Sequence, residues 1–441
     1  MMRIFGFCSM VFAVNAVFAA VDVSFVSISQ AWPWSTETKF VYKLSGTQNE
    51  PHDIVISVLK DGKVLDVAPE SFSGERYGIT DEQEHCIKWY PERAGIANLE
   101  KAEELSFKIE AKSTVAYKYL VLDLSEGSGP DAEYPSYFLE DIPEGGWSDE
   151  YKTTKLVLRR CEPGTFLIGS PADERNHAGS GASTEVQAEV TFTNHFYLGV
   201  FEMTVKQYKL IAGTNICYAA ADGSVVVDDA NPLLPATGLR YHELRGHGIS
   251  SKPWPTSVVP DEGSFMALIR KRVKLPSTVP SGWVFDLPTE AQWEYACRAG
   301  TTTAWNNGTS QNPSSDSSSA SDPNLALLGW YRDNSSSVRH AVGGKLENAW
   351  GFFDMHGNAS EYVLEGCTNE QIPTGVEPRN VTGARNSGLA RRAKGGAFCG
   401  SYAHCRSGSR MEIWNMYTTD VRHNVSSGFA MGVRLCLHYE P

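Results

Sequence analysis

The chain has 441 residues, of which 41% are hydrophobic and 21% charged, with 39 Gly, 11 Trp and 9 Cys. That length allows two or three domains with ample core, and the composition excludes wholesale disorder, collagen-like repetition and a multi-pass membrane protein. A net charge of −13 argues against a broad nucleic-acid-binding surface.

The N-terminus reads MMRIFGFCSMVFAVNAVFAA. Arg3 precedes an apolar run from Ile4 to Ala20, and Val17-Phe18-Ala19 supplies small residues at the −3 and −1 positions of a cleavage site after Ala19. Residues 1–19 are therefore expected to be a signal peptide, and the mature protein to be secreted or periplasmic. The run sits at the lower limit for a membrane helix and no second long apolar run follows, so no span is expected in the mature chain. Loss of the leader removes Cys8 and leaves Cys86, Cys161, Cys217, Cys297, Cys367, Cys399, Cys405 and Cys436. An even number in an exported chain permits disulfides, whose pairing the sequence does not fix.

Residues 20–125 are expected to form an all-β, sandwich-like domain. Val21, Val23 and Phe25 alternate with polar residues, and Phe40-Val41-Tyr42 is a second β-rich run. Ile54–Leu59 and Val64-Leu65 flank Asp61-Gly62, a hairpin signal. Leu105, Phe107 and Ile109 alternate, and Tyr117–Leu124 closes the series. Residues 126–152 are acidic and rich in Gly and Pro, the composition of a linker.

From 153 to 441 an irregular α+β domain is expected. Thr204 caps a helix through Ile211, stopped by Gly213, and Ser264 caps another over Phe265–Arg272. Thr289 and Gln292 form a capping box at the head of a helix that ends at Gly300. Residues 309–322 are low in complexity and read as a loop. No phosphate loop, zinc motif or Gly-x-Ser-x-Gly elbow occurs.

Several segments of this second part resemble the formylglycine-generating enzyme family, also called sulfatase-modifying factor domains. CEPGTFLIGS (161–170), FYLGVFEMTVKQY (196–208), LPTEAQWEYACRAG (287–300), ENAWGFFDMHGNASEY (347–362), KGGAFCGSYAHCRSGSR (394–410) and GVRLC (432–436) follow in the family's order. The resemblance implies a compact α+β domain related to C-type lectins. Thr289, Glu290, Trp293, Glu294, Gly395, Gly396, Arg410 and Arg434 fall on its signature positions.

The resemblance also implies a chemistry, in which the family oxidises a sulfatase cysteine to formylglycine with copper and O₂. Such copper needs soft thiolate ligands, here Cys399 and Cys405. Their spacing departs from the family's Cys-x4-Cys, Ala397 stands at the family's active-site Ser and Ser360 at its Trp. Three readings of the pair stay open: a structural disulfide or buried thiol, a redox or copper pair, or an unrelated surface thiol. Family calcium ligands fall on Asp354, Gly357, Ala359 and Glu361, with carboxylate oxygens from the first and last and backbone carbonyls from the other two. The bland reading is that Asp354 and Glu361 cap or solvate a turn. Two functions follow: an exported cysteine oxidase acting on a partner such as a sulfatase, or an inactive relative that binds a glycan or protein ligand.

Overall fold

A computed structural model describes residues 21–30, 35–47, 52–65, 67, 71–76, 78–94, 105–113, 117–129, 131–179, 183–214, 216–219, 225–228, 231–246, 259–276, 279, 282–311, 321–366, 372–378, 391–413 and 430–440. The leader and most of the low-complexity stretch lie outside them. Among the described residues, no helix is long and apolar enough to cross a membrane. The chain divides into two compact units, Met1–Lys118 with Pro276–Gly282, and Tyr119–Leu275 with Trp283–Pro441.

The first unit is a sandwich. One sheet runs Asp22–Gln30, Thr38–Ser45, Glu84–Trp89, Phe72–Gly74, and the other Lys63–Val64, His52–Lys60, Leu105–Ser113. Alternation along each strand sends Phe40, Tyr42 and Leu44, Ile54, Ile56 and Val58, and Ile87 and Trp89 into one core. The Phe107 ring meets Phe40 edge-on at 4.9 Å and Trp89 at 5.9 Å, joining the two sheets. The expected hairpin forms because Asp61 and Gly62 both take positive φ, 50° and 77°.

The second unit is built on a seven-stranded sheet in the order Val273–Lys274, Tyr134–Leu139, Tyr119–Asp123, Lys155–Cys161, Phe196–Gly199, Cys436–Tyr439, Trp283–Asp286. This arrangement moves the expected domain boundary. Tyr119–Asp123 does not close the sandwich but lies between two neighbours in the large sheet. The reason is that its run is apolar on both faces. Leu120 and Leu122 enter one core while Tyr119 and Val121 enter another, as suits a central strand. Nor is 126–152 a plain linker. It contributes Tyr134–Leu139, and the buried Tyr134 hydroxyl has two carbonyls in reach of its one proton, Gly127 at 2.9 Å and Leu210 at 3.2 Å. Gly and Pro there shape turns around a strand.

Among the described residues, five α-helices belong to this unit. Helix α1 (Val205–Ala212), α2 (Tyr241–Arg245) and α3 (Phe265–Arg272) supply Tyr208, Ile211, Leu244, Phe265 and Ile269 to the core over Leu120, Leu156 and Leu158. Helix α4 (Glu290–Arg298) places Trp293 and Cys297 in a second core with Phe192, Phe196 and Leu198. Helix α5 (Pro323–Leu328) belongs to a third, with Trp305 and Tyr402. The expected caps are present. Thr204 and Gln207 pair reciprocally at α1, Ser264 accepts the Ala267 N–H at α3, and Thr289 and Gln292 pair at α4. At the end of α4 the left-handed turn begins one residue before Gly300, at Ala299 with φ 46°.

Candidate functional site

The signature residues meet around α4. The fully buried Trp293 donates its indole N–H to Glu361 Oε2 at 2.6 Å. Arg434 grips the same carboxylate, with Nε 3.0 and 2.9 Å from its two oxygens and Nη2 2.7 Å from Oε1. The rest of that guanidinium donates to the carbonyls of Gly199, Val200 and Phe353, each at 2.9 Å. Glu294 accepts the Gly169 N–H at 2.8 Å, Arg298 Nε at 2.9 Å and Lys394 Nζ at 2.8 Å. Glu290 takes Arg410 bidentately at 2.6 and 2.9 Å, and Arg410 also reaches the Thr184 carbonyl. Burial alone would raise the Glu290 carboxyl, but Arg410, with Arg392 and Lys394, overrides it and holds the group down to about 2. Charges in this set face one another, so the motif fixes the positions of distant loops.

Gly395 and Gly396 follow with φ 89° and 71°. Both are also sterically required. A Cβ at Gly395 would lie 3.2 Å from the Trp293 ring, and one at Gly396 only 2.5 Å from Cys405 Sγ and 2.9 Å from that residue's Cα and N. Cys405 therefore lies sealed beneath the glycine turn, with no exposure, its S–H donating to the Ser401 carbonyl at 3.8 Å. Ser360 Oγ donates to the Gly396 carbonyl at 3.0 Å and pins the turn from the other side. Ala397 is buried and offers no hydroxyl. Cys399 is half-buried, and the two cysteines are not joined in a disulfide. Burial pushes the Cys405 thiol up to about 12 and raises Cys399 as well. Cys405 is closed off from solvent by the glycine turn, which is a poor fit to a soft-metal centre that a substrate must reach.

A second feature went unread in the sequence. Glu202, in the 196–208 segment, is buried with Asp354 and Glu361, so three carboxyls face one guanidinium, that of Arg434. Glu202 accepts the Ala359 N–H at 2.6 Å and an Asn358 side-chain N–H at 2.7 Å. Burial, then the charges of Asp354 and Glu361, raise its carboxyl well above the usual range. Asp354 takes a left-handed φ of 57° and accepts the Gly343 N–H at 2.6 Å. Burial raises its carboxyl to about 6. Its other oxygen, Oδ1, is buried without a hydrogen-bond partner. Of the expected calcium set, then, Asp354 keeps an oxygen to offer, while Arg434 and Trp293 already occupy both oxygens of Glu361. No group of three or more His, Cys, Asp or Glu among the described residues is arranged as a metal site.

Cys297, His356 and Ser407 form a buried constellation with the look of a nucleophile and base. Cys297 Sγ lies 3.9 Å from His356 Nε2 and 3.7 Å from Ser407 Oγ. The imidazole, however, is engaged on both sides. Its Nδ1 is 2.7 Å from the Cys405 carbonyl, and its Nε2 accepts the Asn306 N–H at 3.0 Å. That fixes the tautomer with the proton on Nδ1 and leaves Nε2 no capacity to act as a base. Burial lowers His356 to about 4 and raises Cys297 to about 12. The trio ties three loops together.

Comparison with known proteins gives the same picture of the second unit. Residues 150–435 match the sulfatase-modifying factor enzyme 1-like domain. Among solved structures, the chain is similar to Treponema denticola variable protein 1, at 21% identity over 65% of this chain and 96% of that one, with a TM-score of 0.42. It is also similar to PvdO from Pseudomonas aeruginosa, at 18% identity over 64% and 94%, with a TM-score of 0.44. No curated protein sequence matches. With well over half its length in that match, the chain belongs to the sulfatase-modifying factor family.

Proposed function

We propose that this protein is a non-oxidising member of the family, an exported binding module built on the enzyme scaffold. One observation carries the reading: Cys405 is sealed under Gly396 and fully buried, where a copper oxidase needs a thiol that metal and substrate can reach. Ala397 and Ser360 at the family's Ser and Trp positions support it. The test is to titrate the reduced protein with copper in air, present a sulfatase-motif cysteine peptide and follow it by mass spectrometry. No copper-dependent conversion is expected, and conversion to an aldehyde would overturn the reading. The two cysteines in one segment, Cys399 and Cys405, are the observation that favours the alternative, cysteine oxidation, with a sulfatase as the partner.

Export rests on the leader-like residues 1–19, and cleavage after Ala19 is checked by N-terminal sequencing of the mature chain. Calcium is part of the reading as a structural ion. The family resemblance and the unpartnered Asp354 Oδ1 support it, with Asp354 as the carboxylate ligand, the Gly357 and Ala359 carbonyls as the further ligands that the resemblance implies, and Glu361 acting through its charge.

A further inference from the structure

A cleft of about 310 Å³ opens at the edge of the second unit, at the lower end of the size range of small-ligand sites. Its walls come from the turn between the strands Ala188–Phe192 and Phe196–Gly199, the head of α4, the end of Cys436–Tyr439, and residues 377–378. None of residues 394–410 lines it.

The lining combines aromatic rings with polar side chains and one carboxylate, Glu377. His195 packs on Trp283 at 4.5 Å, and Trp283 is paired across the strands with Tyr439, which is 42% exposed. Phe192 and Phe196 back the floor. Asn194 is exposed at the rim, held by Glu377, whose Oε1 accepts both the backbone and side-chain N–H of that residue. Burial and the nearby Arg160 hold His195 well below its ordinary value, so at neutral pH it is an imidazole that both donates and accepts.

The charge balance selects among ligands. Among the described lining residues there is no Lys or Arg, and Glu377 is the one carboxylate. The head of α4 does not serve as an anion site, because its N–H groups turn inward: Glu290 N–H to Glu365 and Gln292 N–H to Thr289. Among these lining residues a phosphate or carboxylate meets the Glu377 carboxylate and no cation. A neutral ring with an apolar face and a hydroxyl edge finds both partners it needs, rings to stack on and amide, imidazole and carboxylate groups to exchange hydrogen bonds with.

We propose that this cleft binds a neutral saccharide unit, with Tyr439 as the stacking platform and Asn194 as a hydrogen-bonding residue. The proposal deepens the binding-module reading by naming the ligand class and the place. The experiment applies the full chain to an array of neutral oligosaccharides, with choline and inorganic phosphate as competing probes. The strongest saccharide is then titrated against intrinsic tryptophan fluorescence, to which Trp283 reports. Binding with a Kd of about 1 mM or tighter is expected, weakened at least tenfold by Tyr439→Ala and by Asn194→Ala, both exposed positions. Absence of saccharide binding, binding unchanged in both variants, or binding of choline or phosphate in place of saccharide would overturn the proposal. Peptide oxidation by copper-loaded protein would sink the non-oxidising reading and leave this result standing, so the two failures are distinguishable.

Discussion

Replacing Glu361 with Gln removes one charge and almost no volume. The Gln oxygen can still accept the Trp293 N–H, so the change isolates the ion pair with Arg434. Both groups are fully buried, and the guanidinium would be left with three carbonyls and no anion in contact. Breaking a buried pair in this way costs about 3–5 kcal/mol. Glu202 and Asp354 moderate the cost at neutral pH, because a bare Arg434 favours their ionised forms. The cost at pH 7 is therefore expected near 3 kcal/mol, a shift of about 1 M or more in a urea midpoint. Below about pH 6 wild-type Asp354 gains a stabilising proton, which the variant, whose Asp354 faces a bare Arg434 and no Glu361 charge, takes up only at lower pH, so the penalty at pH 5 should exceed the penalty at pH 7. The assay is urea unfolding followed by tryptophan fluorescence at both pH values. The paired replacement Glu361→Leu with Arg434→Met, which leaves no buried charge uncompensated, should recover more than half of the loss. A cost below about 1 kcal/mol at both pH values, or no recovery in the pair, would show that the reasoning about this cluster is wrong.

Three further outcomes are expected. Gly396→Ala places a methyl against Cys405 at a φ of 71° and should destabilise by about 2 kcal/mol or more, while Gly396→Ala combined with Cys405→Ala, which removes the sulfur, should cost less; thermal unfolding decides. Asp354→Asn removes a carboxyl that burial lifts from 3.8 to about 6, so the folded chain holds a proton that the unfolded chain releases, and stability falls as pH rises through that window. In EDTA at pH 7.5 this variant should gain up to about 3 kcal/mol over wild type, and calcium should raise the midpoint of wild type alone; a loss in EDTA, or equal calcium response, counts against it. Thr289→Ala removes the capping box of α4 and should cost about 1 kcal/mol, read from the same unfolding curves, with Thr289→Ser restoring most of it.

Short-range signals carried much of the fold. Asp61-Gly62 specifies its hairpin because both residues tolerate positive φ. Thr204, Ser264 and Thr289 announce helices because a side-chain oxygen next to the first free N–H groups satisfies them locally. The motifs around α4 were legible as a set, and the residues they mark do converge. Their purpose was not legible: Glu361 reads equally well as a calcium ligand or an ion-pair partner until Arg434, 73 residues away, is seen against it.

Alone, then, the sequence determined the two-part organisation, the alternation that builds the sandwich, the caps, and the family. Tertiary structure decided where the parts divide, because Tyr119–Asp123 is a central strand only when a neighbour stands on each side. It decided the burial of Cys405, whose thiol is covered by a glycine turn packed over it, and the silence of His356, whose two nitrogens are claimed from different loops. Local composition records what a residue can do. The partners that remove or permit that chemistry arrive from distant parts of the chain, and only packing brings them together.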